Sequence, residues 1–224
     1  MTIRVKICGL TTPQDAQAAA EAGADAIGIV FAPSPRRVEP DEAARITAAL
    51  PPFLIRVGVF VDEAYDTMAR VAERAGLDAI QLHGKEGNRV ARRLRALGYR
   101  VIKAVRVRNF ASIDGLAEIE ADAVLLDAYD PNRAGGTGTA FDWSLAQTAS
   151  DILGRREPPL PLILAGGLNA GNVDLAIRTV RPYGVDVSSG VESAPGKKSP
   201  ERMRQFVWKV RRWDVDDEPT GGEV

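Results

Sequence analysis

Two side chains of this chain have types suited to acid–base chemistry: the thiol of Cys8 and the carboxyl of Asp127. Each closes a short apolar run, Arg4-Val5-Lys6-Ile7-Cys8 in one case and Ala123-Val124-Leu125-Leu126-Asp127 in the other. A free thiol ionises near ~8.5 and a carboxyl near ~4. Used as a base and an acid, the two need environments that move both values. Burial or a neighbouring anion would raise Asp127, and a cation such as Lys6 would lower Cys8. Plainer roles stay open for both. A free cysteine is often a small buried hydrophobe, and an aspartate after a strand often caps the next loop. Cys8 is the single cysteine of the chain, so no internal disulfide is open to it.

The second chemistry on offer is phosphate binding. Ala165-Gly166-Gly167-Leu168-Asn169 and Ser188-Ser189-Gly190-Val191-Glu192 both follow apolar runs. Bare glycines let backbone N–H groups approach an anion, and a following helix N-terminus adds a favourable dipole. Gly166, Gly167, Ser189 and Gly190 are therefore candidate phosphate-binding residues, although glycine pairs also simply make turns. The pair Arg36-Arg37 follows another run and can fork onto a carboxylate, or stand as a solvated surface pair. The one histidine, His83, sits in Gln81-Leu82-His83-Gly84. A metal centre usually takes several nitrogen or sulfur ligands. With one His and one Cys no metal is expected, and His83 reads as a hydrogen-bonding residue.

These groups need elements to hold them. Eight apolar runs recur: Ile3–Cys8, Ala26–Phe31, Leu54–Val61, Ala79–His83, Arg100–Val105, Ala123–Asp127, Leu160–Ala165 and Val185–Val187. Five of the seven steps between run ends are 22 or 23 residues, room for a strand, a three-turn helix and two short loops. The intervening stretches carry helix punctuation. Thr12-Pro13 and Glu39-Pro40-Asp41 open two helices, and Gly23, Gly76 and Gly98 close three. Strict alternation implies a parallel sheet, and eight near-equal units suit closure into a (β/α)8 TIM barrel. An open doubly wound sheet is the alternative, but no Gly-x-Gly-x-x-Gly follows the first run. In a barrel the strand ends share one face, and the loops after strands seven and eight are the usual phosphate site.

The longest step, 38 residues, carries the glycine-rich stretch Asp130–Thr139, a candidate mobile lid. Residues 1–213 are expected to form one catalytic domain, and the acidic stretch 214–224 a disordered tail.

The chain has 224 residues, with 29 basic and 30 acidic side chains. That balance supports neither nucleic acid nor a membrane surface as partner. The first residues lack the apolar core of a signal peptide, and one unpaired cysteine fits a reducing compartment, so a cytoplasmic location is expected. A monomer is the default over a homodimer.

Taken together, Lys6-Ile7-Cys8-Gly9-Leu10-Thr11 with Asp15-Ala16, Gly58-Val59-Phe60, Gln81-Leu82-His83-Gly84, Gly135-Gly136-Thr137-Gly138, Phe141-Asp142-Trp143, Ala165-Gly166-Gly167-Leu168, Asp186–Glu192 and Pro195-Gly196-Lys197-Lys198 closely resemble the phosphoribosylanthranilate isomerase family. The match runs in order over nearly the whole chain. The resemblance implies a (β/α)8 barrel without cofactor, acting on a small phosphorylated substrate at the third step of the tryptophan branch. It implies an Amadori rearrangement of N-(5-phosphoribosyl)anthranilate to 1-(2-carboxyphenylamino)-1-deoxyribulose 5-phosphate. Carried over by position, Asp127 is the general acid at the furanose oxygen and Cys8 the general base at sugar C2. Arg37 then meets the anthranilate carboxylate, and the loops around Gly166 and Gly190 hold the phosphate. Two other readings are a broader-substrate sugar-phosphate isomerase and a non-catalytic phosphoribosyl-binding barrel. A related family of histidine synthesis carries an aspartate where this chain has Cys8.

Overall fold

The computed structural model describes residues 2–127 and 143–216, with side chains through Trp213. Eight parallel strands, β1 (Arg4–Cys8), β2 (Ala26–Val30), β3 (Ile55–Phe60), β4 (Ala79–Leu82), β5 (Arg100–Arg106), β6 (Ala123–Asp127), β7 (Leu162–Ala165) and β8 (Gly184–Val187), pair in chain order. β8 returns to β1, with Lys6 opposite Asp186, so the sheet is a closed barrel. Around it lie α1 (Pro13–Glu21), α2 (Pro40–Ala48), α3 (Tyr65–Arg74), α4 (Asn88–Ala96), α5 (Trp143–Gly154), α6 (Val173–Val180) and α7 (Pro200–Asp216). A short antiparallel pair, β9 (Glu192–Ala194) and β10 (Lys197–Lys198), follows β8.

Local chemistry sets the helix ends. The Thr12 hydroxyl accepts from Asp15 N–H at 3.1 Å, and Pro13 fills the first turn of α1, where its missing N–H is not needed. Gly23, Gly76 and Gly98 have positive φ just past α1, α3 and α4, a region costly for residues with a Cβ. One expected helix is absent. Between β5 and β6 the chain makes two 3₁₀ turns, Phe110–Ser112 and Leu116–Glu118. Asn109 and Ser112 cap each other across the first turn, and Gly115 interrupts before a helix can propagate.

The apolar core has two parts. The larger lies between strands and helices and includes Val5, Ile7, Ile27, Phe60, Leu82, Leu126 and Phe206. The smaller fills the barrel with residues at alternate strand positions: Val57, Ala79, Ile102, Ala104, Ala123, Leu125, Ile163 and Ala165. The same alternation turns Lys6, Gln81 and Asp186 into that interior, all three buried. Many of the apolar fillers are alanines, which leaves room inside for these longer polar side chains.

At the N-terminal end of the barrel one device occurs three times. Asp25, Asp78 and Asp122 stand just before β2, β4 and β6. Each accepts a backbone N–H from the preceding odd strand: Val5 at 2.7 Å, Arg56 at 2.8 Å and Val101 at 2.8 Å. Each also meets an arginine of that strand, Arg4 at 2.9 Å, Arg56 at 2.7 Å and Arg100 at 3.4 Å. Helix α7 joins the first clamp, with Arg211 donating to Ile3 O and to Asp25, both at 2.7 Å. Its last described residue, Asp216, lies three residues into the segment expected as tail. Residues 217–224 and the glycine-rich stretch Asp130–Thr139 lie outside the described residues.

Candidate active site

Cys8 ends β1 and Asp127 ends β6, so both reach the C-terminal rim of the barrel. The two strands are separated around the ring by β7 and β8.

The surroundings of Cys8 are dense in charge. Opposite it in register is Gly28, and a Cβ there would stand 2.6 Å from Cys8 Sγ and 3.1 Å from Lys6 Nζ. Only a glycine leaves space for the sulfur and the ammonium together. Lys6 Nζ lies 2.9 Å from Asp186 Oδ1, with both side chains nearly sealed from solvent. Burial pushes the Cys8 thiol above its ordinary value; Lys6 and Lys198 pull it down, and Asp186 adds to the rise. The expected lowering by Lys6 is present, and burial outweighs it. Burial also works against the charge on Lys6, but Asp186 and Cys8 more than offset it and raise that ammonium.

Asp127 has a different setting. His83 Nε2 lies 3.1 Å from Asp127 Oδ2, and Gln81 Nε2 lies 2.8 Å from His83 Nδ1. His83 follows β4 directly, so Gln81 and His83, two residues apart, face the same way. The expectation that His83 works as a hydrogen-bonding residue fits this placement.

The two arginines have separate partners. Arg37, expected at a substrate carboxylate, is half exposed and pairs with Glu39 at 3.0 Å. It bridges to Val30, and its N–H donates to Ser34 O at 3.1 Å across the turn that carries Arg36. Arg36 Nε and Nη2 each donate to a Glu192 oxygen at 2.6 Å, a bidentate fork. Its Cδ would stand 2.4 Å from a Cβ on Gly9, so it lies against the backbone next to Cys8. Lys198, with its side chain fully buried, donates to the same carboxylate and to Ser188 O, at 2.9 and 3.0 Å. Burial alone would raise the Glu192 carboxyl; Arg36 and Lys198 outweigh it and hold it below the ordinary range.

The two glycine loops meet. Gly166 and Gly167 have φ of +87° and +65° directly after β7. Gly190 lies in the 3₁₀ turn after β8, and a Cβ on it would fall 1.9 Å from Leu168 O. No side chain fits there, so the loops interlock and Gly166, Gly167, Ser189 and Gly190 form one rim segment. Asn172 holds the first loop, donating to Gly167 O at 3.0 Å and accepting from Asn169 N–H at 2.8 Å.

Sequence reasoning did not single out Asp186, Glu192, Lys198 or Gln81. The signal for Asp186 and Gln81 was a polar residue inside an apolar strand, one position before its end. Glu192 and Lys198 stand outside the eight strands, and their pairing with each other and with Arg36 leaves no periodic trace.

Comparison with known proteins is consistent along the whole chain. Residues 5–209 match the family model described as N-(5′phosphoribosyl)anthranilate (PRA) isomerase. A curated N-(5′-phosphoribosyl)anthranilate isomerase from Trichlorobacter lovleyi is 49% identical over 206 residues, covering 92% of this chain and 96% of the relative. The crystal structure of phosphoribosyl anthranilate isomerase from Thermotoga maritima superposes with a TM-score of 0.84 at 43% identity, covering 94% of this chain and 100% of that one. A further solved structure of such an isomerase, in complex with reduced 1-(o-carboxyphenylamino)-1-deoxyribulose 5-phosphate, gives a TM-score of 0.79 at 42% identity, with 94% and 100% covered.

Proposed function

Because this chain belongs to the N-(5′-phosphoribosyl)anthranilate isomerase family, we propose that its acid and base are Asp127 and Cys8, working across the mouth of the barrel. The reaction is the isomerisation of N-(5′-phosphoribosyl)anthranilate in tryptophan biosynthesis. Asp127 gives a proton to the furanose oxygen as the C1–O bond breaks and the anthranilate nitrogen forms a Schiff base. Cys8, as thiolate, takes the proton from sugar C2. The resulting enolamine tautomerises to the ketone.

The observation that carries this reading is the placement of one thiol and one carboxyl on the same rim in contrasting surroundings, cationic for Cys8 and histidine-bonded for Asp127. Groups with separated environments are what acid–base catalysis at one pH requires. The joined loops carrying Gly166, Gly167, Ser189 and Gly190 take the phosphate. Arg37, half exposed and paired with the exposed Glu39, takes the anthranilate carboxylate, while Arg36 is already forked onto Glu192. Holding both ends fixes the sugar between acid and base. The solved relative in complex with the reduced deoxyribulose phosphate supports a phosphorylated ligand.

The test is turnover of freshly made substrate, followed by loss of its fluorescence. Cys8→Ala and Asp127→Asn are each expected to lose about 10²–10⁴-fold in kcat with the fold intact by circular dichroism. Near-normal turnover by either variant would sink its assignment. The working unit is taken as a monomer in the cytoplasm, and sedimentation equilibrium showing a dimer would overturn the first part.

A further inference from the structure

His83 is the only histidine of the chain, and it stands between two partners. A neutral imidazole donates from one ring nitrogen and accepts at the other, so its contacts with Gln81 and Asp127 are not independent. Gln81 is 1% exposed inside the barrel, and its amide nitrogen is the atom toward the ring, 2.8 Å from Nδ1. An amide nitrogen only donates. Nδ1 must then accept, and the one ring proton sits on Nε2, pointing at Asp127 Oδ2 3.1 Å away.

Turning the Gln81 amide end for end would reverse both bonds. Its oxygen would accept from Nδ1–H, and Nε2 would face Asp127 as a bare acceptor. The two arrangements differ in the group they leave unpaired. As placed, Gln81 Oε1 is buried without a partner among the described residues. Reversed, the same spot would hold an NH₂ with two protons. An underused buried carbonyl oxygen is tolerated more often than an orphaned N–H, which favours the arrangement observed.

We infer that Gln81 is a positioning residue for the reaction: it locks His83 as the Nε2–H tautomer, so that His83 donates to Oδ2 of Asp127 and leaves Oδ1 to carry the proton to the sugar. The inference rests on the reading of Asp127 as the acid. As Oδ1 releases its proton to the ring oxygen, the C1–O pair moves onto that oxygen and the nitrogen lone pair closes the C=N bond. Asp127 is left as a carboxylate. The N–H donor on its other oxygen strengthens as that charge develops, which lowers the barrier rather than only tightening binding. His83 itself gains and loses no proton.

The single histidine makes the test direct. In protein labelled with ¹⁵N-histidine there is one imidazole, and its two nitrogen shifts report which one bears hydrogen. Near neutral pH the expected spectrum has a protonated Nε2 and a bare Nδ1. Gln81→Leu, which offers Nδ1 no donor, should let the ring take the Nδ1–H form as well. Gln81→Met, also with no donor, should likewise leave both tautomers populated. In both variants kcat is expected to fall about tenfold or more, and KM to stay within about twofold. A wild-type Nδ1–H ring, an imidazolium, or unchanged kcat in folded variants would overturn the inference. If neither variant folds, the wild-type spectrum alone decides. The acid reading fails separately, through an active Asp127→Asn enzyme, whatever the tautomer.

Discussion

The two ends of this barrel are built on opposite rules. At the N-terminal end the same clamp is used three times, an aspartate before an even strand holding a backbone N–H and an arginine of the strand before it. At the C-terminal end nothing repeats. One side of that rim holds Cys8 among Lys6, Asp186 and Lys198. The other holds Asp127 through His83 and Gln81. A repeated device fixes strand pairs two by two, and its members are interchangeable. A catalytic rim needs each group different, because acid and base must not share an environment. The clamps therefore free the opposite end to be irregular.

The loss of turnover on changing Cys8 or Asp127 is the largest effect expected, and it should come without a change in stability. The sharpest challenge to the contrast lies at Lys6, which serves the chemical end yet is buried like a core residue. Lys6→Met strands Asp186 in the interior and should lower stability by about 3–5 kcal/mol in urea unfolding. Lys6→Met with Asp186→Leu should recover most of that loss. A single variant as stable as wild type would show that this rim does not bear on folding.

The next test is pH. The proposed base role requires Cys8 ionised, and its thiol is pushed up, so kcat/KM should climb with pH toward and beyond the ordinary thiol range. Removing the Lys6 cation takes away a lowering influence and should move that rise to higher pH. Asp186→Asn removes a raising one and should move it lower. Equal profiles in all three would remove the assigned base.

At the other end, the Asp25 carboxyl is held below its ordinary range, because the Val5 N–H, Arg211 and Arg4 outweigh the burial that would raise it. A lowered folded value means stabilisation that is complete above the unfolded value and lost as pH falls through the folded one. Asp25→Asn should cost about 1–2 kcal/mol near neutral pH, discounted for partial exposure, and less in acid, with kcat unchanged. A fall in kcat would break the separation of the two ends. Smallest of all in stability, Arg37→Ala should stay within about 0.5 kcal/mol while raising KM about tenfold or more. An unchanged KM would remove Arg37 from the site.

Much of the barrel was legible because a period of 22 residues, helix-opening prolines and closing glycines are local signals. Cys8 and Asp127 were legible for the same reason: each ends an apolar run. The fork of Arg36 onto Glu192 was not, since the two lie 156 positions apart and meet only across the rim. The missing helix after β5 was also obscure, because the cap between Asn109 and Ser112 and the break at Gly115 had to be weighed against the repeat. Contacts such as Lys6 with Asp186, 180 positions apart in sequence, leave no trace in spacing. Inside a strand, however, an unexplained polar residue was already a pointer to them.

The close approach of Gly190 to the Leu168 carbonyl has a consequence for anyone who would move this rim segment elsewhere. The loops after β7 and β8 belong to different βα units, yet neither can be replaced alone without opening a gap or driving a side chain into backbone. They form a cassette, to be transplanted between barrels together with both strands or not at all. Drift in one is constrained by the other, so these two units should change in step.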